Sequence, residues 1–324
     1  MAAIGKGNAT ADVNTSTTGN LTPEVMTYYE KVFLERATYE LVLKEGAQKR
    51  THPDSAGRTV NFTRYNPLTV LTSPLGEASN PVTCPINSST VAMTLSEYGL
   101  TTTHSKLLTL VSIDSSMKEK VALVGQNMGE TLNLLTGLEL RNGTSFYGNN
   151  HTADTFAAGD TLDACDIRQM VKLLELNKVQ SYKDGMFIGK TDPISKYNLI
   201  GDTTWVNSKT YSDVKGLYAG EMGELYQVRW LLNKGVMSGI GSTYSDEAAS
   251  SAASTVVRYY TYVHGENAFG CYDLEKDQPK LYILVNPADS GSPVGRVSYV
   301  SWAGSYATKL LNSAWVISAR FALS

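Results

Sequence analysis

The segment of residues 58–145 constrains the fold more than any other part of this chain, because it joins a long β-arm to one long helix. In residues 58–65, apolar and polar positions alternate with the period of a strand, and residues 91–98 form the returning strand. Residues 66–90 between them are rich in Pro, Ser, Thr and Asn. A hairpin alone is marginally stable in water, and a loop this long is normally functional, disordered or laid on another surface. The pattern therefore predicts an arm that packs on a neighbouring copy of the same protein.

Charged groups are scarce in this arm, so the few that occur are the candidate contact residues. Across residues 65–105 the only carboxylates are Glu77 and Glu97, and there is no lysine or arginine. An ion pair between one of these groups and a neighbouring copy would help to set the register of the contact, even where its net energy is small. The predicted subunit-contact residues are Arg64, Tyr65, Glu77, Glu97 and Tyr98.

Helical patterns lie on both sides of the arm. Pro23 marks the first turn of a helix that we expect to end near Gly46. Residues 107–113 are predicted as a short apolar strand. Ser116, with Glu119 three residues later, then opens a long helix, since apolar residues follow at spacings of three and four. Its apolar stripe consists of Met117, Val121, Val124, Met128, Leu132, Leu135 and Leu138.

The remainder of the chain predicts mixed helices and strands. Residues 144–160 form a polar loop, and Asp160 opens a second helix whose buried face is Ile167, Met170, Val171 and Leu174. Strands are predicted at residues 186–189, 224–232, 256–263, 280–285 and 295–302. Residues 1–20 are predicted to be flexible and residues 238–254 to be an exposed loop. The order of these elements indicates the α+β class.

Composition excludes several classes of function. Charged residues make up 18% of the 324 residues, below the roughly 25% of typical domains, and the net charge is −3. A dedicated nucleic-acid binder usually shows a basic patch, and none is visible. The three cysteines lie far apart and fit a reducing cytoplasm. No apolar run approaches the length of a membrane span.

Catalytic and metal-binding signatures are also missing from the sequence. No nucleotide-binding glycine motif, metalloprotease motif or hydrolase nucleophile motif occurs, and the four histidines lie far apart. Asp160, Asp163 and Asp166 are spaced like a metal cluster, but carboxylates in the first turns of a helix are more simply explained by its dipole. The sequence therefore predicts no catalytic, cofactor-binding or metal-ligating residue.

Three groups of residues, taken in chain order, point to a known family. They are residues 28–36 with 57–65 and 75–77, then residues 96–99 ahead of the long helix, and finally residues 263–270 with 293–302 and 310–315. In order and spacing they resemble a major capsid protein of tailed bacteriophages with the HK97 fold, from about residue 22 to the C-terminus.

The resemblance implies a division of the chain. It consists of an N-terminal arm (1–57, with 1–20 flexible), an extended β-loop (58–106), a peripheral domain with the spine helix (107–159), an axial domain (160–256) and the C-terminal strands of the peripheral domain (257–324). Only about twenty flexible residues precede the first helix, so a separate scaffolding protein is expected. The loop has no lysine for the covalent cross-link of some family members, so noncovalent contacts must hold the shell, with a decoration protein as a further aid.

The function implied is that of a structural late protein rather than an enzyme. It would assemble in the host bacterial cytoplasm into hexamers and pentamers of an icosahedral head, and become part of the virion together with a portal. The head would enclose double-stranded DNA without sequence-specific binding, and no membrane or cofactor is implied. Two alternatives remain: a tail or adhesin subunit, which the long helix disfavours, and an enzyme with an unfamiliar site, which the scarcity of His and Cys disfavours.

Overall fold

The computed structural model describes residues 23–50, 57–65, 68, 70, 72, 74, 80, 81, 83–111, 116–151, 157, 159–202, 221–235, 258–272, 279–286 and 294–322. The α-helices in this part of the chain are α1 (Pro23–Glu40), α2 (Lys106–Val111), α3 (Ser116–Leu140), α4 (Ala164–Leu176) and α5 (Pro193–Gly201). The strands are β1 (Gln48–Arg50), β2 (Thr59–Tyr65), β3 (Ser88–Thr94), β4 (Ser96–Ser105), β5 (Thr144–Tyr147), β6 (Phe187–Thr191), β7 (Glu221–Leu225), β8 (Val228–Leu232), β9 (Arg258–His264), β10 (Phe269–Tyr272), β11 (Lys280–Leu284), β12 (Val297–Tyr306), β13 (Thr308–Leu310) and β14 (Val316–Ala322). This mixture confirms the predicted α+β class.

The chain divides into two compact units. Unit 1 consists of Met1–Leu41, Glu97–Asn133 and Lys276–Ser305, and unit 2 of Val42–Ser96, Leu134–Glu275 and Tyr306–Ser324. Unit 1 contains α1, α2, most of α3 and a three-stranded sheet in the order β11-β12-β4. Unit 2 contains the other three sheets.

Close packing of α1 on α3 organises unit 1. A Cβ atom on Gly125 would lie 2.6 Å from the carbonyl oxygen of Phe33, so the two helix backbones approach as near as a glycine allows. Phe33 and Ala37 of α1 are buried. Val121, Val124, Met128 and Leu132 are buried on α3, which begins at Ser116 as predicted. The predicted stripe is thus confirmed at these four positions, whereas Met117 at its start is half-buried.

A six-stranded sheet forms the centre of unit 2. Its order is β5-β14-β9-β6-β8-β7, with β14 parallel to β5 and antiparallel to β9. Helix α4 packs its buried face into the main core of this unit. That face contains the predicted set Ile167, Met170, Val171 and Leu174, which is therefore confirmed.

Two predictions near the arm are wrong, one about the type of an element and one about the end of a helix. Residues 106–111 form α2 rather than a strand, and Leu107 and Val111 are largely exposed. A short apolar run without alternation cannot distinguish the two structures. The first helix ends at Glu40 instead of near Gly46. Gly46, with a φ of +77°, instead ends a separate turn before β1.

Three further corrections fall in unit 2. The polar stretch after α3 contains β5, which obtains its hydrogen bonds from the distant β14. The second helix starts at Ala164, because Asp163 is the residue whose carboxylate caps it, accepting from the Asp166 backbone N–H at 2.8 Å. The single strand predicted at 224–232 is a hairpin, since Tyr226 and Gln227 turn the chain at φ values of 50° and 64°. The predictions for residues 1–20 and 238–254 lie outside the described residues.

Candidate subunit interface

The base of the β-arm is a two-stranded hairpin with one buried face. Strands β2 and β3 pair antiparallel from Thr59 opposite Thr94 to Tyr65 opposite Ser88. Alternate side chains point inward, and Val60, Phe62 and Met93 form a buried cluster with Tyr272 and Ala307 of the same unit. The base of the arm therefore packs on its own chain, which the sequence analysis did not predict.

Phe62 is the centre of this attachment. It is 4% exposed, and its ring covers Gly270, where an added Cβ would lie 2.7 Å from the ring carbon Cζ. The Arg50 guanidinium lies 5.2 Å from the ring centroid, and its Nη1 donates to the Asn61 carbonyl oxygen. The ring thus lies between the backbone of Gly270 and the Arg50 cation, and this arrangement attaches the base of the arm to the rest of unit 2.

The far end of the arm exposes large apolar side chains to solvent. Tyr65 is 69% exposed, Leu68 57%, Val70 80% and Ile86 69%. Apolar side chains grouped in one exposed segment mark an interaction site more often than scattered ones do. All the described residues of the loop are exposed. This segment is therefore the part of the arm best suited to contact another molecule.

The predicted contact residues lie in different places. Arg64 is half-buried, and its guanidinium lies 5.5 Å from the ring centroid of Trp315, so it already has an intrachain partner. Tyr65 is exposed at the end of β2. Glu97 is exposed and Tyr98 half-buried on β4 of unit 1, and Glu77 lies outside the described residues.

The three aspartates at the start of α4 have different partners. Asp163 caps it, and Asp166, in the first turn, accepts from the Asn149 backbone N–H at 3.1 Å. Burial, with the Asp163 carboxylate nearby, raises the pKa of Asp166 to about 7. Asp160 contacts the ring Nδ1 of His151 at 2.8 Å instead. Within the described ranges, no group of three or more His, Cys, Asp or Glu residues is arranged to hold a metal ion.

A second exposed apolar group lies in unit 1 and was missed from the sequence. Leu107, Leu108 and Val111 on α2 all face solvent. The sequence had predicted a short apolar strand here. None of the described helices is long and apolar enough to cross a membrane.

Comparison with known proteins finds likeness in structure alone. No protein-family model and no curated protein matches the sequence. Among solved structures, the capsid of Ralstonia phage GP4 superposes with a TM-score of 0.65 at 12% identity, covering 100% of this chain and 99% of that one. The capsid of cyanophage Pam1 gives 0.63 at 13% identity over 98% of both chains, and that of cyanophage P-SCSP1u gives 0.61 at 13% over 88% and 89%.

These likenesses establish the fold. The described chain has the architecture of phage capsid subunits over almost its whole length, which confirms the HK97-like fold expected from the resemblance. At identities of 12–13%, contact residues are not transferable and must be argued from this chain itself.

Proposed function

We propose that this chain is the major capsid protein of a tailed bacteriophage, which assembles into the hexamers and pentamers of an icosahedral head around double-stranded DNA. The observation that carries the proposal is the nearly full-length likeness to phage capsid subunits. The exposed apolar end of the arm supports it, because such a surface suits contact with another subunit.

In this proposal each subunit lays its arm on the next copy. The base, attached around Phe62, gives the arm a fixed origin, and the exposed side chains beyond Tyr65 supply apolar contact area. A heterologous contact of this kind forms a ring when its rotation closes, and small contact energies then add up over a closed shell. Glu77, Glu97 and Tyr98 remain predicted contact residues, and Arg64 would take part together with its intrachain partner Trp315.

The division into arm, extended loop (58–106), spine helix, axial domain (160–256) and C-terminal strands belongs to the same proposal. So do the location in the virion, assembly in the host cytoplasm, and partnership with a separate scaffolding protein, a portal and a decoration protein. The role is structural, and DNA would be held without sequence-specific binding. The mild net charge of −3 supports this, because a strongly basic inner wall would hold packaged DNA too tightly.

A charge placed on the exposed arm tests the proposal. Val70 is 80% exposed, so Val70→Asp should leave the monomer folded, with thermal unfolding within a few degrees of wild type. Assembly should fail, because a carboxylate would be buried without a partner at the contact. Sedimentation velocity and negative-stain microscopy measure the assembled fraction.

The matched control is Leu176→Asp, which places the same charge on an apolar side chain, 67% exposed, at the end of α4. The control should assemble normally. Normal particles from Val70→Asp would show that the arm does not form the contact. Equal failure of both variants would show that the arm has no special role in assembly.

A further inference from the structure

One buried side chain, Lys190, and one half-buried side chain, Tyr182, hold the turn of residues 43–46, which precedes β1. Lys190 Nζ donates to the carbonyl oxygens of Leu43 at 2.7 Å and Glu45 at 2.6 Å. Tyr182 Oη donates to the carbonyl oxygen of Gly46 at 2.8 Å. Three of the four carbonyls of one turn thus accept hydrogen bonds from side chains of unit 2, where the turn itself lies.

The fit of the turn is close. Gly46 has a φ of +77°, and a Cβ there would lie 2.5 Å from Tyr182 Oη and 2.7 Å from His264 Cε1. Leu43 is fully buried in a cluster with Phe269. The turn therefore occupies a site shaped for it.

Within the described part of the chain, no carboxylate forms an ion pair with Lys190. It is fully buried on β6, and its Nζ lies 4.8 Å from the ring centroid of Phe269. The Glu45 carboxylate instead accepts from Arg229 Nη2 at 2.8 Å. Burial lowers the pKa of Lys190 to about 7, although Glu45 and Cys271 act in the opposite direction.

Two other ionisable side chains beside the turn, His264 and Tyr182, have pKa values shifted away from the range of pH 7.5 to 9. Burial and the charge of Lys190 lower the pKa of His264 well below its ordinary value. Its Nδ1 lies within hydrogen-bond distance of Tyr182 Oη and the Gly265 carbonyl oxygen, which fits a neutral ring protonated at Nδ1. Burial, with Glu266 and Glu45 nearby, raises the pKa of Tyr182. Of these three side chains, Lys190 is therefore the one whose pKa lies close to this range.

We propose that Lys190 makes the turn of residues 43–46 a proton-sensitive anchor, released together with β1 when the buried amine takes up a proton. In the released state Lys190 would meet water and regain a pKa near 10.4. Release therefore takes up a proton between about pH 7 and 10, and its equilibrium constant rises up to tenfold for each pH unit of acidification. Below about pH 7 the amine is protonated in both states, and the effect stops. The inference concerns the single chain and does not depend on the proposed function.

Cys271 supplies a probe inside the site. Its thiol is fully buried on β10, and it stands in register with Lys49 of β1. In the full chain with the exposed thiols removed by Cys84→Ser and Cys165→Ser, a methanethiosulfonate reagent reports how often Cys271 opens. Dividing each rate by that of the same chain in denaturant at the same pH removes the titration of the free thiol.

The normalised rate should rise about 20-fold from pH 9.0 to pH 7.5, from the linked proton, and should be insensitive to low concentrations of denaturant, as for a local opening. Lys190→Met should abolish the pH dependence. Tyr182→Phe, which loses the hydroxyl bonded to Gly46, should open faster at both pH values and keep the 20-fold ratio. If Lys190→Met does not fold, the pH dependence of the parent and of Tyr182→Phe still tests the proposal.

Three results would overturn the proposal. The first is a parent rate that does not change with pH, and the second is the same change with pH in Lys190→Met. The third is a rate that follows global unfolding in denaturant, which would show that the anchor does not open as a separate element.

Discussion

Truncation of Phe62 should release the arm while leaving the rest of unit 2 folded. The side chain is 4% exposed and belongs to a cluster whose other fully buried arm residues are Val60 and Met93. Truncating a buried phenylalanine costs about 3–5 kcal/mol, and the lost contact with the Arg50 cation adds about 0.5–1 kcal/mol. Because the hairpin has so few buried residues, this cost is comparable to the whole free energy that holds the hairpin on the rest of unit 2.

Hydrogen exchange followed by mass spectrometry measures the effect strand by strand. A loss of about 4 kcal/mol corresponds to a roughly 1000-fold faster exchange, since each 1.4 kcal/mol is tenfold. In Phe62→Ala, protection of β2 and β3 should fall by about that factor, whereas β14 should stay within tenfold of wild type. Tyr65→Ala, on an exposed position of the same strand, should leave all of them unchanged.

The reasoning would be refuted by arm strands that keep wild-type protection in Phe62→Ala. It would equally be refuted if β14 lost as much protection as the arm, because the hairpin would then be part of the global core.

Two substitutions test packing and charge elsewhere. Gly125→Ala should destabilise unit 1 by about 1–3 kcal/mol in chemical denaturation, because its Cβ would lie 2.6 Å from the carbonyl oxygen of Phe33. The control Gly201→Ala, whose Cβ would have nothing within 4 Å, should be neutral or slightly stabilising. Asp166→Asn should flatten the pH dependence of stability between pH 4 and 7. The pKa of Asp166 is raised to about 7 in the folded state, so its contribution is full below pH 4 and is lost, by up to about 1.4 kcal/mol per unit, as pH rises to 7. An equal pH dependence in Asp166→Asn and wild type would contradict this assignment.

Elements defined by local periodicity were predictable from the sequence. Alternation in β2 predicted inward Val60 and Phe62, and the helical period predicted the face of α4. The fold was predicted from the order and spacing of such segments. At 12–13% identity to the solved capsid structures, no single motif was sufficient.

Features that depend on distant partners were not predictable. Tyr272 and Ala307, on which the arm base packs, lie more than 170 residues from it, and no local pattern marks them. The turn at Tyr226 and Gln227 lacks the Asn or Gly that usually signals a hairpin. Lys190 lies in a strand whose five residues are all buried, so alternation gave no sign that a cation was inside.

Electron microscopy and sedimentation of the purified full chain test the central proposal most directly. The account predicts closed shells, or rings of five and six subunits, whose arms lie on the adjacent copy. Trimers or fibres in place of rings and shells would contradict the assignment as a capsid subunit and favour the alternative of a tail or adhesin subunit.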